Sequence, residues 1–252
     1  MRFLVLLPLL AACGVDNVGS NGELGHLSFS LVSDWYLDET ELTAVTVVTG
    51  HAQSFGVGLT NRGEDLADDQ ADEIEYSMDP DVGVTIQQSG PADDDVEDPG
   101  PPSLALTVTE PGSYTLVANL EGRVFDRIQL AFDAPDALDL ALYTRAPWAE
   151  DFEALVGPGP SQVREGTQLA WLPIPVSAEG VRLAGDVGAS MTADPIEAVV
   201  PADNVTHVNE DEVFDASNVP SLYFIEPGDV TITIGDTANP AVGTHPFVVL
   251  GE

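Results

Sequence analysis

The 252-residue chain carries 43 acidic residues against 7 arginines, contains no lysine, and has a formal net charge of −36. Phosphate binding depends on Lys and Arg, so this balance excludes nucleic acid and anionic lipid headgroups as partners. At 44% hydrophobic residues the chain has enough apolar side chain to bury a core, which excludes a disordered acidic tail. Charge of this size keeps a protein soluble but strains its folded state by self-repulsion, so a saline or calcium-containing setting is expected.

At the N-terminus a single cation, Arg2, precedes the apolar stretch from Phe3 to Leu10, and Leu10-Ala11-Ala12-Cys13-Gly14 follows. A short basic region, an apolar run and small residues at the cut describe a secretory signal. The apolar run is far below the roughly 20 residues that a bilayer span needs. Leu-Ala-Ala-Cys resembles the lipobox of bacterial lipoprotein signals. That resemblance implies cleavage before Cys13, a diacylglycerol on its sulfur, acylation of the new amino terminus, and a membrane anchor with more than one acyl chain. Cys13 is the only cysteine, so no internal disulfide is possible. Residues 1–12 are the expected signal peptide and residues 13–24, rich in Gly, Asn and Ser, the expected flexible tether. Gly14 stands where many enterobacterial lipoproteins retained at the inner membrane carry aspartate, so the expected location is the cell envelope, at the outer membrane.

From there short alternating runs dominate. Leu27, Phe29 and Leu31 share one face, as do Leu104, Leu106 and Val108, and Tyr114, Leu116, Ala118 and Leu120. Leu138, Leu140 and Leu142 follow, then Val230, Ile232 and Ile234. Period-2 patterning marks half-buried strands, and the Pro-Gly clusters at 99–102, 111–112, 157–160 and 227–228 punctuate them. The best helical candidate, Trp148 to Val156, is short and ends in a Gly-Pro run. Many short strands separated by turn signals predict antiparallel sandwiches.

The chain also repeats itself. Glu110-Pro111-Gly112 recurs as Glu226-Pro227-Gly228, Asp79-Pro80 as Asp194-Pro195, Gly50 as Gly166, and Val57-x-Leu59-Thr60 as Ile174-x-Val176-Ser177, at offsets of 115 to 117 residues. This spacing predicts a tandem duplication joined near Ala134-Pro135-Asp136. The order of these pieces, with Pro111-Gly112-Ser113-Tyr114-Thr115-Leu116 the clearest, resembles the bacterial Ig-like modules of surface proteins, lipoproteins and adhesins. The resemblance implies an all-β chain of two tandem Ig-like antiparallel β-sandwiches, residues 25–134 and 135–252, following the signal and tether. It places Tyr114 where such sandwiches bury a tyrosine whose hydroxyl bonds nearby backbone. Val230 takes that place in the second copy, where the bond is impossible.

Catalytic patterns are lacking. A Walker loop and a serine–lysine pair need lysine, a Gly-x-Ser-x-Gly elbow does not occur, and cysteine catalysis would need Cys13. His26, His51, His207 and His245 are dispersed, without zinc-ligand spacing, and read as surface or strand-end residues. Trp35-Tyr36, Trp148 and Trp171 offer a carbohydrate platform or sandwich packing, with Trp171 expected in the core. Three acidic clusters remain, at 65–73, 93–98 and 209–215. Calcium takes six to eight oxygens, which loops between strands can supply, so if calcium binds, Asp93, Asp95 and Glu97 are the candidates; the segment lacks the mid-loop glycine of an EF-hand, and a solvated acidic loop is the favoured reading. The expected function is non-catalytic: modules for binding or adhesion, or an accessory envelope subunit, facing an envelope protein or a glycan. A carbohydrate- or solute-binding lipoprotein and a calcium-stabilised spacer are the alternatives.

Overall fold

The computed structural model describes residues 25–32, 45–61, 64–65, 73–89, 103–155, 157, 159–205 and 219–251. Among them the chain is all-β, apart from a single 3-10 turn at Ile196–Ala198. In the first sandwich, β1 (His26–Val32), β3 (Ala52–Asn61), β7 (Ser103–Val108) and β6 (Val84–Ser89) pair in that order, with β4 (Glu64–Asp65) beside β3. The facing sheet runs β2 (Thr46–Val48), β9 (Arg123–Asp133), β8 (Gly112–Leu120) and β5 (Ile74–Asp79).

The second sandwich repeats the order of the eight longer strands; its two-residue strand lies beside the counterpart of β1, where β4 lies beside β3. One sheet is β11 (Glu153–Ala154), β10 (Ala137–Arg145), β13 (Gln168–Val176), β16 (Val219–Phe224) and β15 (Val199–Val205). The other is β12 (Ser161–Arg164), β18 (Val242–Leu250), β17 (Gly228–Asp236) and β14 (Ala189–Asp194). In each copy a short strand, β2 or β12, runs parallel to the last strand, β9 or β18, while the other pairings are antiparallel. Gly50 and Gly166 both hold φ above +80°. Gly50 N–H donates to Val108 O at 2.8 Å and Gly166 N–H to Phe224 O at 2.7 Å. The repeat read in the sequence is thus a repeat of backbone hydrogen bonds.

Alternation sets the cores. Leu104, Leu106, Val108, Tyr114, Leu116 and Ala118 are buried in the first, and Trp171, Val230, Ile232 and Ile234 in the second, as the patterning predicts. Each fully buried aliphatic side chain contributes about 1.5–3 kcal/mol. The Tyr114 hydroxyl donates to Glu110 O at 2.8 Å, the corner bond implied by the Ig-like resemblance. The span from Trp148 is a turn followed by β11 rather than a helix: Pro147 and the glycines beyond 156 leave no room for three turns.

The two sandwiches are joined by more than the link at 134–136. The connection between β13 and β14 crosses to the first sandwich, where Ala184 pairs with Val47 at the free edge of β2. Val48 N–H donates to Ala184 O at 2.9 Å and Ala184 N–H to Thr46 O at 2.8 Å. Covering that edge satisfies backbone groups that would otherwise invite another strand. Side chains complete the joint. Gln53 Nε2 donates to Asp186 O, and Gln53 Oε1 accepts from Asp186 N–H, both at 2.8 Å. His51 and Asp236 meet at 2.6 Å, and Asn239 Nδ2 donates both to Asp236 Oδ2 and to Thr49 O.

Candidate functional site

The joint fixes the long axis. In the first sandwich His26 pairs with Thr60, so the chain begins β1 at the end of β3 remote from Gln53 and the joint. In the second, β10 leaves the joint at Ala137, opposite Val176, and ends at Arg145, opposite Gln168. The start of β1 and the end of β10 therefore lie at opposite poles.

The far pole is built from two β-turns. Ala146-Pro147-Trp148-Ala149 is closed by Ala149 N–H to Ala146 O at 2.9 Å, with Pro at the position that favours its fixed φ. Arg164-Glu165-Gly166-Thr167 is closed by Thr167 N–H to Arg164 O at 3.0 Å, with Gly166 in the left-handed region at φ +82°. The turns pack directly on each other: a Cβ at Gly166 would sit 3.0 Å from Pro147 Cγ. Trp148 is thereby pushed outward and is 71% exposed, the most exposed large apolar side chain described. The Arg164 guanidinium lies 5.5 Å from its ring centre.

Trp148 is a ridge between two grooves. One, about 480 Å³, is lined by Pro147, Trp148, Glu165 and Ile225. The other, about 400 Å³, is lined by Trp148, Asp151, Glu153, Gln162 and Leu250. Arg164 lines both. Behind the second groove Arg145 sits over Phe152, 4.9 Å from the ring centre, and donates to Gln168 Oε1. Gln168 Nε2 donates to buried Ser221 Oγ at 2.8 Å, and Ser221 Oγ to Asp203 O at 2.7 Å. This chain of hydrogen bonds, buried at its centre, crosses four strands and ends on Arg145. Burial pushes the nearby Tyr143 phenol above its ordinary pKa, so it stays a neutral hydroxyl.

Of the residues singled out in the sequence, Cys13, Asp93, Asp95, Glu97, Trp35, Tyr36 and His207 lie outside the described residues. Trp171 is buried in the second core and Trp148 is at the tip, so the two do not form one platform. The histidines require correction. His26 does open a strand, with Nδ1 3.5 Å from the buried Asp126 carboxylate. His51, however, is only 14% exposed and belongs to the joint, and His245 is half-buried in mid-strand with Nε2 2.9 Å from Ser161 Oγ. Their partners are 185 and 84 residues away in sequence, a distance no local pattern reveals. Among the described residues no three His, Asp or Glu side chains are grouped to hold a metal ion, and no helix is long and apolar enough to cross a membrane. A further concavity of about 500 Å³ opens between β5 and β6, lined by Ser77, Asp79, Asp81 and Ile86, with no aromatic or cation among the described residues that line it.

No protein-family model matches the chain, and no curated protein matches it. Solved structures do resemble it. Domains 5–6 of the S-layer protein SbsC share 13% identity over 88% of this chain and 99% of that one, at a TM-score of 0.32. FdeC, an adhesin of Escherichia coli, shares 15% identity over 93% of this chain and 67% of its own, at 0.30. Invasin, a bacterial integrin-binding protein, shares 14% over 89% of this chain and 40% of its own, at 0.30.

Proposed function

We propose that this is a non-catalytic protein of the bacterial envelope, anchored by a lipid on Cys13 and displaying a binding surface at the pole of its second sandwich. The reading takes residues 1–12 as a signal peptide, 13–24 as a tether, and 25–134 and 135–252 as the two modules. One observation carries it: β1 starts at one pole of the jointed pair, and exposed Trp148 with its two grooves stands at the other. A tether leading into β1 would put the Trp148 grooves at the greatest reach from the membrane. Trp and Arg are the residue types that dominate binding energy at contact surfaces. The partner is an envelope protein or a glycan, and an outer-membrane location suits the reading.

Mass spectrometry of the native product tests the anchor: a mature chain beginning at acylated Cys13 is expected, and Cys13→Ser should leave the membrane fraction. Pulldown from intact envelopes with wild type and Trp148→Ala tests the display surface. An unmodified Cys13, or an identical set of captured molecules for both forms, overturns the corresponding half of the proposal.

A further inference from the structure

We infer that the ligand at the Trp148 pole is an uncharged glycan, one sugar ring lying on the indole and its neighbours reaching into the two flanking grooves. This rests on the reading of the pole as the display surface and adds the chemical class. The grooves have one broad, exposed, flat apolar face, Trp148; of the other apolar side chains lining them, Phe224 and Val163 are themselves buried, which leaves the smaller Pro147, Ile225 and Leu250. A protein interface of stable size needs a desolvated apolar centre of many residues, which these grooves lack. A pyranose needs less: a flat ring for its C–H face and planar polar groups for its rim of hydroxyls.

Those groups are present. Arg164 supplies a fork of donors, and Asp151, Glu153 and Gln162 supply paired acceptors or a donor–acceptor edge suited to adjacent hydroxyls. Arg164 has no ion pair with a carboxylate among the described residues, although acids surround it; it is stacked on Trp148 with its donors uncommitted to a charge. The turn-on-turn packing of Gly166 against Pro147 holds the ridge in shape before any ligand arrives. Charge selects among saccharides. Asp151, Glu153 and Glu165 line the grooves against one arginine, in a chain of −36, so uronate or sulfate polymers are repelled while neutral chains are not.

The test is a panel of neutral oligosaccharides with glucose, galactose, mannose, xylose or N-acetylglucosamine backbones, with polygalacturonate as the anionic control. Binding to the purified full chain is read by saturation-transfer NMR and calorimetry. The expected result is binding of at least one neutral family, with Kd raised about tenfold or more by Trp148→Ala and by Arg164→Ala at unchanged melting temperature. Tighter binding of polygalacturonate, no binding across the neutral panel, or neutral binding insensitive to Trp148→Ala overturns the inference. A Trp148-dependent protein captured from envelopes, with no saccharide bound, overturns the glycan while leaving the display reading intact.

Discussion

His51 Nε2 donates to Asp236 Oδ1 across 2.6 Å, joining a turn of the first sandwich to the last residue of β17 in the second. His51 Nδ1 accepts from Gly188 N–H at 3.3 Å, which assigns the ring as the neutral Nε2–H tautomer. Asp236, whose side chain is 0% exposed, also accepts from the backbone of Ala238 at 2.8 Å and from the Asn239 side chain. Burial alone would raise its pKa, but these hydrogen bonds, the one from His51 included, outweigh burial and hold the carboxyl below its ordinary value. A depressed carboxylate stabilises the fold above the unfolded pKa of about 4, and that stability is lost as pH falls through the folded value. Asp236→Asn should therefore cost about 2–3 kcal/mol at pH 7 and less at pH 3. Urea unfolding of both forms at the two pH values checks this; an equal deficit at pH 3 and pH 7 would refute it.

His245 gives a second pH dependence, in a different window. Burial lowers its pKa, so folding favours the neutral ring. Stability is complete above the unfolded pKa of about 6.5 and declines as pH falls from there toward the folded value. His245→Gln should flatten the melting temperature between pH 7 and pH 5 relative to wild type. A parallel decline in both proteins would assign the effect elsewhere.

Asp126 closes the opposite end of the first sandwich. It is fully buried, and its carboxylate accepts from Leu27 N–H at 2.9 Å and from Arg127 N–H at 2.8 Å. Gly25, next to this point, has no room for a side chain, since a Cβ would fall 2.1 Å from the Phe125 ring. Asp126→Ala strands two backbone donors and should cost about 2–4 kcal/mol. Hydrogen exchange would show faster opening of β1 in particular, whereas a uniform change across both sandwiches would contradict this local role.

The charge makes its own prediction. With 43 acids against 7 arginines, raising sodium chloride from 10 mM to 1 M shortens the screening length from about 30 Å to about 3 Å and should raise the melting temperature. Calcium at millimolar levels should do the same, and more strongly if Asp93, Asp95 and Glu97 bind it together. Neutralising those three residues separates specific uptake from screening in a calorimeter.

The sandwiches could be read from the sequence because their information is local. Leu104, Leu106 and Val108 alternate within one strand, and Tyr114 reaches a carbonyl four residues away. Gly50 and Gly166 are recognisable as turn residues, since positive φ excludes most other side chains. The joint was hidden for the opposite reason. Its pairs, His51 with Asp236, Gln53 with Asp186 and Asn239 with Thr49, are 133 to 190 residues apart and have no periodicity. The tip was half legible. Trp148 stood out as an aromatic, but its exposure depends on Pro147 meeting Gly166 from another turn, a contact between residues 19 positions apart that no strand or helix period reports.

The pairing of Ala184 with Val47 has a mechanical meaning. A pull on Trp148 against an anchor beyond β1 would run along the strands, so the bonds from Val48 to Ala184 and from Ala184 to Thr46 lie across the line of tension. Bonds loaded sideways must give way together, whereas a hinge peels one at a time. The linkage would thus hand traction from one sandwich to the next without first straightening.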